Sequence, residues 1–554
     1  MRIIKVSGAL LISFILVLTM FSACGKNAGT QSSETSTVAT ETTTTTDTQS
    51  DSDELEWKQD TSPITLSLYS NFTFSPDAPA DLWGKDPISK LITKKTGVTL
   101  NIIKPPSDDG IKLSLMISSN DLPDMILLGK NDNKIEQMID GGMLYSYDEL
   151  IDQYAPNFKK ILPPEILSNY KYKDGKTYKY VNWAEFANYM EAAKKYNALI
   201  GTNQAVMLIR PDYLEEIGSP DISTPDTFIE ALVKIKEKHP DKIPFYGGDS
   251  CFTNGSVGHV GVYFGVTGLD ENDQLKWRPN TKQYMDTIMF LNKLVSKNLL
   301  TRDSFIDSRD VQARKVADGN IVSYTWTAAE TGRALFDNPD RKYTVVPPFS
   351  TYKEIRAGTG WQAIVITKKA EKPDRVIRFV QYMASYEGHV DHTYGIEGDK
   401  FGDLVNGPHF KMVDGKPTHF PEYVKMKFED WSPVGVKTGL GVWGFFSQTL
   451  DAMQAFWNPE DKEMESLNKM FAKYVEYKPE IEVIFPADAK EIVIGQKLGE
   501  IEKEYVSKMV FAKDENAVKT VYAEMIAKAE KAGLADYEAL YGKLYQENKK
   551  RLGK

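Results

Sequence analysis

The sequence predicts an α/β protein with two α/β lobes and a helical C-terminal region. Two runs of alternating strand and helix patterns, at 64–129 and from 204 to 385, indicate sheets that are covered by helices. From about residue 488 the chain is rich in Lys and Glu and keeps a helical pattern, interrupted near Gly533. We therefore expect two lobes, each with its own sheet, followed by a helical end.

The first run starts with a β-branched, alternating segment and ends with a nearly all-apolar one. Pro87 suits the first turn of the helix between the first two strands, and Gly97 suits the end of that helix. The last segment, "LPDMILLG", is apolar on both faces, as in the middle of a largely parallel sheet. The predicted elements are strands at 64–72, 98–104 and 122–129 and helices at 86–97 and 108–121.

The second run begins with a strand that passes into a helix at Pro211. A capped amphipathic helix follows, because Thr224 suits its N-cap and Pro225 its first position, and Phe228 and Leu232 share its apolar face. Later apolar segments predict further strands and helices. The predicted elements are strands within 204–219, 319–336, 342–349 and 360–370 and helices within 204–219, 224–240, 281–300 and 373–385.

The N-terminus combines positive charge with an apolar stretch. Arg2 and Lys5 precede a charge-free segment at 6–25, which is typical of an export signal. Positive charge on the short N-terminal side keeps that end in the cytoplasm and directs the following chain across the membrane. We therefore expect the folded part of the protein to lie outside the cytoplasm.

A cysteine follows two small residues at the end of that segment. The motif "FSAC" resembles a bacterial lipobox, in which the signal peptide is cut before the cysteine, although Phe21 stands where Leu is commonest. A retained anchor helix and an ordinary signal peptide are the alternatives. The motif predicts a signal peptide at 1–23 and lipid attachment at Cys24, and acyl chains would hold the protein on a membrane.

A polar segment at 24–58 begins with the cysteine and leads to the folded body. It is rich in Thr and Ser and poor in apolar residues, so it cannot bury enough surface to offset the entropy of ordering. The composition predicts a disordered, lipidated tether.

The bulk composition limits the classes of partner. With 77 Asp and Glu against 67 Lys and Arg, the net charge is −10, which disfavours nucleic acid as a partner. The chain has only two cysteines, Cys24 and Cys251, so a disulfide framework is not expected. The 9 Trp and 28 Tyr provide rings that could stack on sugars, although most are expected in the core.

Several segments, in order, resemble the large family 1 extracellular solute-binding lipoproteins of bacteria, which are distantly like maltodextrin-binding protein. The resemblance rests on "GMLYSYDELIDQYAPNF", "LIRPDYLEEIGSPDISTPDTFIEALVKIKEKHPD", "YTVVPPF", "GWQAIVITKKAEKPDRVIRFVQYMAS", "YGIEGDKF" and the terminal "YAEMIAKAEKAGLADYEALYGKLYQ". It implies a periplasmic-binding-protein-like fold in which a hinge joins two lobes around an interlobe cleft. It also implies capture of an oligosaccharide for the membrane permease of an ATP-binding-cassette importer, by a monomer at the extracellular face of the cytoplasmic membrane.

The resemblance also implies a division into lobes and the absence of enzymatic activity and cofactors. Lobe 1 is expected to comprise 59–203 and 357–390, and lobe 2 to comprise 204–356 and 391–554 with the C-terminal helices. Many long members of the family carry an Asp- and Asn-rich calcium loop after the helix that corresponds to 224–240. Here "KHPDKIPFYGG" passes directly from helix to strand, so we expect no metal at that point.

A sugar site needs flat aromatic faces together with amides, carboxylates or guanidinium groups for paired hydroxyls. In α/β lobes such groups lie in loops beyond the carboxyl ends of the strands. By this reasoning and the resemblance, the candidate ligand-binding residues are Trp326, Trp361, Tyr394, Glu397, Trp443, Tyr69, Asn71 and Asp124. Each could instead serve packing, capping or loop structure alone.

Three alternatives stay open at this point. The same scaffold could bind a peptide or another organic solute, or the protein could be a secreted glycoside hydrolase with two carboxylates. His389 and His392 are three residues apart and could share one helical face as metal ligands. Because no third ligand is visible nearby, a solvated helix end is the expectation for this pair.

Overall fold

The computed structural model describes residues 55–70, 83–105, 110–182, 205–247, 257–307, 309–327, 343–423, 437–440, 442–444, 470–486 and 488–554. The predicted signal peptide, Cys24, the tether up to residue 54 and Asn71 lie outside these residues. Within the described residues, none of the helices combines the length and the apolar composition that crossing a bilayer requires.

The folded body begins earlier than the predicted end of the tether at residue 58. Glu56–Gln59 form a 3₁₀ helix, and the ring of Trp57 is 6 % exposed and lies 4.7 Å from the ring of Tyr382. Leu55 is buried as well. The large apolar side chains at 55 and 57 therefore anchor these residues, although their neighbours in sequence are polar.

The strands confirm the sequence patterns and add several short ones. They are β1 (Ile64–Ser70), β2 (Val98–Ile103), β3 (Met125–Gly129), β4 (Tyr180–Val181), β5 (Ala205–Ile209), β6 (Ile243–Tyr246), β7 (Ile321–Thr327), β8 (Thr344–Val345), β9 (Glu354–Arg356), β10 (Gln362–Ile366), β11 (Phe410–Val413), β12 (Lys416–His419) and β13 (Val475–Tyr477).

Capping residues mark both ends of the first helix, as predicted. The Asp86 side chain accepts a hydrogen bond from the Ser89 N–H at 2.8 Å, and Gly97 ends the same helix with φ 72°. The helices are α1 (Pro87–Thr96), α2 (Ile111–Ser119), α3 (Asn133–Asp140), α4 (Tyr147–Tyr154), α5 (Phe158–Ile161), α6 (Pro164–Ser168), α7 (Pro211–Glu216), α8 (Pro225–Lys238), α9 (Gly258–Tyr263), α10 (Lys282–Ser296), α11 (Arg309–Ala317), α12 (Pro373–Ala384), α13 (Tyr386–Thr393), α14 (Lys490–Val510), α15 (Glu515–Ala532) and α16 (Leu534–Arg551).

The first sheet has five strands in the order β2-β1-β3-β10-β4. Strands β2, β1 and β3 are parallel, as the first run predicts, and β10 is antiparallel to both of its neighbours. Strand β10 belongs to the first sheet although the strands of the second sheet precede it in the chain. The all-apolar β3 lies in the middle and is buried on both faces, as expected.

The second sheet has four strands in the order β6-β7-β5-β8. Its core includes α8 and α10 and also the C-terminal helices, since Leu498, Met509 and Val518 belong to the same apolar cluster as Val206. The predicted interruption near Gly533 is confirmed, because Gly533 has φ 107° and lies between α15 and α16.

The segment after α12 packs against the first sheet's helices. Lys95 in α1 pairs with Asp391 in α13 at 2.7 Å, and the Trp443 Nε1–H donates to Asp86 at 3.3 Å. Tyr423 and Leu440 join the same apolar cluster as α1 and α12. The division into lobes stays a prediction, but these contacts place part of 391–443 beside the first sheet, whereas the sequence-based division assigned it to lobe 2.

Candidate functional site

Four chain segments reach the same edge of the first sheet. The parallel strands β1 and β3 end there, and β10 begins there because Gln362 is paired with Gly129. Strand β4 ends there as well, since Val181 pairs with Ala363 in the antiparallel register. In open α/β sheets, ligands bind outside the carboxyl ends of the parallel strands, so a ligand site is expected at this edge.

An exposed tryptophan lies at this edge. Trp361, directly before β10, is 53 % exposed, whereas Trp57 and Trp443 are 6 % and 3 % exposed. The Trp361 carbonyl accepts a hydrogen bond from the Lys130 N–H at 3.0 Å, directly after β3. An aromatic ring at this edge that is partly exposed to solvent can stack on the flat face of a ligand.

A buried polar cluster supports the chain beside this tryptophan. We call Lys130, Tyr170, Thr359 and Glu482 the edge cluster. The Lys130 ammonium pairs with the Glu482 carboxylate, and their side chains are 9 % and 12 % exposed. The Lys130 Nζ also donates to the Thr359 hydroxyl at 3.0 Å, and the Tyr170 hydroxyl donates to Glu482 at 2.6 Å. The cluster thus joins the first sheet's edge to the segment before the C-terminal helices.

A side-chain amide pair closes the other side of the edge. The Asn182 Nδ2 donates to the Gln362 Oε1 at 3.0 Å, and both residues are 1 % exposed. The Gly360 N–H donates to the Asn182 carbonyl at 2.9 Å, so the chain before Trp361 is also fixed to the end of β4. These bonds saturate polar groups that burial would otherwise leave without a partner.

The corresponding edge of the second sheet lies at the end of β7. Thr327, the last residue of β7, is paired with Ala205, the first residue of β5. The Glu354 carboxylate accepts from the Ala205 N–H at 3.3 Å and from the Tyr352 hydroxyl at 2.9 Å. The Arg356 Nε donates to the same carboxylate at 2.9 Å. This edge therefore leads directly into β9.

Strands β9 and β13 connect the two sheet edges. They form a parallel pair in which Arg356 is opposite Tyr477, and the Lys478 N–H donates to the Arg356 carbonyl at 2.7 Å. The chain from Lys478 then reaches Glu482 in the edge cluster. The carboxyl-end edge of the first sheet and the β5–β7 edge of the second are thus joined through a few residues.

Burial fixes the protonation of the groups around this site. Burial, and then the negative charge of Glu482, raises the pKa of Tyr170 well above its usual value, so its hydroxyl keeps the proton that it donates. Burial likewise raises the pKa of Tyr352, with Glu354 as the next cause. Burial lowers the pKa of Lys179, although the nearby carboxylates of Glu136 and Glu482 oppose this change. The phenols therefore serve as donors over the physiological pH range.

Of the predicted ligand-binding residues, Trp361 lies at this edge and is about half exposed. Trp326 lies in β7 opposite Val206, one residue before the end of the strand, and only its backbone is described. Asn71 lies outside the described residues. The contact of each of these residues with a ligand stays a prediction.

Tyr69 and Asp124 occupy structural positions in the first sheet. Tyr69 is fully buried near the end of β1. The Asp124 carboxylate accepts from the Ser67 N–H at 2.7 Å and from the Ser67 hydroxyl at 2.6 Å. Asp124 precedes β3, so it lies at the opposite end of that strand from Lys130, and the structure does not bring it to the edge that carries Trp361.

Tyr394, Glu397 and Trp443 belong to the segment that packs beside α1. The Tyr394 ring is 2 % exposed and stacks on His419 at 5.0 Å, and Glu397 is exposed beside β11. The Trp443 ring lies edge-on against Trp83 at 4.8 Å. The ligand-binding role of all three stays a prediction. The burial of Tyr394 and Trp443 shows that these two side chains also pack in the interior.

The expectation of a solvated helix end for His389 and His392 is wrong. Their exposed fractions are 4 % and 0 %, because α13 packs against both α1 and α12. Burial lowers the pKa of His389 well below its usual value, and it lowers the pKa of His392 to about 4. Among the residues that the structure describes, no group of His, Cys, Asp or Glu side chains is arranged to hold a metal ion.

Sequence reasoning missed the edge cluster. Lys130 follows the apolar "MILLG" of β3 directly, and a charge at the end of a central strand was the available signal. Glu482 and Tyr170 gave no such signal, because they lie in irregular segments that only the tertiary fold brings to Lys130.

Comparison with known proteins identifies the family of the chain and several similar proteins. Residues 82–390 match the family model described as bacterial extracellular solute-binding protein. The chain is 28 % identical over 272 residues to the fructooligosaccharide ABC transporter substrate-binding protein FusA of Streptococcus pneumoniae serotype 4. That match covers 45 % of this chain and 48 % of the relative, so it spans about half of that protein's length.

Two further matches extend the comparison. The lipoprotein LipO of Bacillus subtilis strain 168 is 26 % identical over 362 residues, which cover 60 % of this chain and 66 % of LipO. The crystal structure of the alginate-binding protein AlgQ2 without calcium ion superposes with a TM-score of 0.65 and 17 % identity, covering 88 % of this chain and 98 % of that one. The likeness to AlgQ2 shows the fold, and it confirms the predicted periplasmic-binding-protein-like class.

Proposed function

The chain belongs to the family of bacterial extracellular solute-binding proteins, and from this premise we propose that it captures an oligosaccharide for an ATP-binding-cassette importer. The proposed site lies between the two sheet edges that β9 and β13 connect. In this proposal the protein holds its ligand without changing it chemically and is not an enzyme.

The observation that carries the proposal is the exposed ring of Trp361. Trp361 is 53 % exposed, so part of its apolar surface lies in water, and covering that surface with a ligand would be favourable. Sugars present flat C–H faces that suit such a ring. The buried amide pair and the edge cluster hold the backbone beside Trp361, so the chain that carries the ring is positioned before a ligand arrives.

The relatives support a saccharide as the class of ligand. FusA is named for fructooligosaccharides and AlgQ2 for alginate. These two saccharides differ in charge, since alginate is a polymer of uronic acids and fructooligosaccharides are neutral. Both classes therefore belong in the ligand test.

Lipid anchoring at Cys24 forms part of the same proposal. The lipobox-like "FSAC" would place an acylated cysteine ahead of a polar tether, and the relative LipO is named as a lipoprotein. Such a tether would keep the receptor beside its permease at the extracellular face of the cytoplasmic membrane while it samples solutes. Mass spectrometry of the protein from a bacterial host, with Cys24→Ala as the control, tests the anchor.

Thermal-shift screening tests the class of ligand. The panel contains kestose and nystose as neutral sugars, alginate oligosaccharides as acidic sugars, and tri- to hexapeptides. A ligand at a hundred times its dissociation constant stabilises the folded state by about 2.7 kcal/mol, which is readily measured. We expect a saccharide to raise the melting temperature and peptides to leave it unchanged.

The alternatives give different results in the same screen. Stabilisation by peptides alone would favour the same scaffold with another cargo. Hydrolysis of a stabilising sugar by the purified protein, detected by chromatography after overnight incubation and lost on changing one carboxylate, would favour a glycoside hydrolase.

A further inference from the structure

The loop that carries Trp361 has little rigidity of its own. Residues 357–361, which we call the platform loop, contain two glycines, and Gly358 has φ 87°. Glycine backbones have the largest conformational freedom of any residue, so the position of the loop depends on the bonds made to it. Within the part of the chain that the structure describes, bonds to the loop come from Asn182 on one side and from Lys130 and Tyr170 on the other.

Lys130 holds the platform loop through two different groups. Its backbone N–H donates to the Trp361 carbonyl at 3.0 Å, while its ammonium donates to the Thr359 hydroxyl at 3.0 Å and to the Thr359 carbonyl at 3.4 Å. The Tyr170 hydroxyl contacts the same Thr359 hydroxyl. Lys130 itself is 7 % exposed, so its ammonium needs a buried anion.

Glu482 is that anion, and it belongs to the C-terminal part of the chain. The Asn548 side chain in α16 donates to the Glu480 carbonyl at 3.2 Å and to the Glu482 carbonyl at 2.9 Å. Lys554 pairs with the Glu480 carboxylate at 2.6 Å. The last helix therefore fixes the backbone of Glu482, and Glu482 in turn fixes Lys130.

We propose that the Lys130–Glu482 pair is a positioning element that sets the pose of Trp361 and thereby the affinity for ligand. The pair supports the platform loop and thereby couples the C-terminal helices to the ligand site. Neither Lys130 nor Glu482 contacts the ligand in this proposal. This inference rests on the proposed function, because it assigns Trp361 to the ligand.

A double-mutant cycle between Lys130→Met and Trp361→Ala tests the proposal. The full chain is titrated by calorimetry with kestose, nystose and alginate oligosaccharides. Lys130→Met should weaken binding by about 3- to 30-fold, the range in which remote contacts modulate a site. In the Trp361→Ala background the same change should have almost no further effect, because the pair acts through the ring.

A structural role alone would give a different pattern. The melting temperature without ligand should fall for Lys130→Met in both backgrounds, whereas the loss of affinity should appear only when Trp361 is present. Glu482→Gln should give the same affinity pattern as Lys130→Met. The exposed Lys176–Glu149 pair provides the matched control, since Lys176→Met removes a lysine–glutamate contact on the surface and should leave affinity unchanged.

A milder variant keeps the test decisive if Lys130→Met does not fold. Thr359→Val keeps the Lys130–Glu482 ion pair and a side chain of similar shape, but it removes the hydroxyl that accepts a hydrogen bond from the Lys130 ammonium. This variant should weaken binding by at least about threefold. Unchanged affinity in the folded variants, or equal losses with and without Trp361, would overturn this inference alone. Failure of the unchanged protein to bind any of the three saccharides would overturn the proposed function and this inference with it.

Discussion

Replacing Trp361 by Ala should weaken saccharide binding without unfolding the protein. A tryptophan can bury about 150 to 250 Å², so the 53 % of Trp361 that is exposed leaves about 100 Å² for a ligand. At about 25 cal/mol per Å² this surface is worth about 2.5 kcal/mol when fully covered, and about half of that when a sugar covers one face. The dissociation constant should therefore rise by about 8- to 70-fold.

Isothermal titration calorimetry with the saccharide that stabilises the protein most measures this change. Trp361→Phe is the matched control, because it keeps an aromatic face of smaller area and should lose less than half as much binding free energy. The melting temperature of the ligand-free Trp361→Ala protein should change less than that of a variant at a buried tryptophan such as Trp57, since Trp361 is 53 % exposed and Trp57 is 6 % exposed. An unchanged dissociation constant for Trp361→Ala would refute the assignment of this ring to the ligand.

Two further predictions concern stability. Because burial lowers the pKa of His392 to about 4 from the usual 6.5, the folded state holds the neutral ring, and its stabilising contribution is complete above pH 6.5. The free energy of unfolding should therefore fall by on the order of 3 kcal/mol between pH 6.5 and 4 from this group, and urea unfolding of His392→Leu should show a shallower fall than the unchanged protein. Gly439→Ala should destabilise the protein more than Gly415→Ala in the same assay: both glycines have φ near 74°, but only at Gly439 would a Cβ overlap with the buried Asp86 carboxylate. Equal losses for the two glycine variants would show that the contact with Asp86 is relieved at no cost.

The main elements of the fold could be predicted from the sequence because local signals agree with the final structure. Thr224 and Pro225 predict the start of α8, and Gly97 and Gly533 predict the ends of helices where their positive φ angles are found. The all-apolar pattern of β3 predicts a central strand. Each of these features depends on a few neighbouring residues, which the sequence contains in full.

The position of the strand after the second sheet could not be predicted in the same way. The pattern of β10 predicts a strand, but its antiparallel insertion between β3 and β4 depends on residues more than 180 positions away. The same limit applies to Leu55 and Trp57, whose burial depends on α12. Apolar side chains in a polar stretch gave the only local signal of that contact.

Part of the candidate site followed from the sequence and part did not. Trp361 could be predicted as a candidate because it follows the glycine-containing "RAGTG" at the start of a strand. Its support by Lys130 and Glu482 joins residues 352 positions apart, which no local pattern encodes. Two tryptophans that each have a glycine beside them differ in burial: Trp443 packs in the core, whereas Trp361 is about half exposed. The local sequence does not distinguish these two environments.

Small-angle X-ray scattering of the full chain tests the central claim most directly. In the proposed function the ligand is held between the two sheet edges, so a saturating saccharide should contract the particle as the sheets close on it. We expect a smaller radius of gyration with the stabilising saccharide, the unchanged profile with peptides, and recovery of the sugar intact. Identical profiles with and without every saccharide of the panel would contradict the claim.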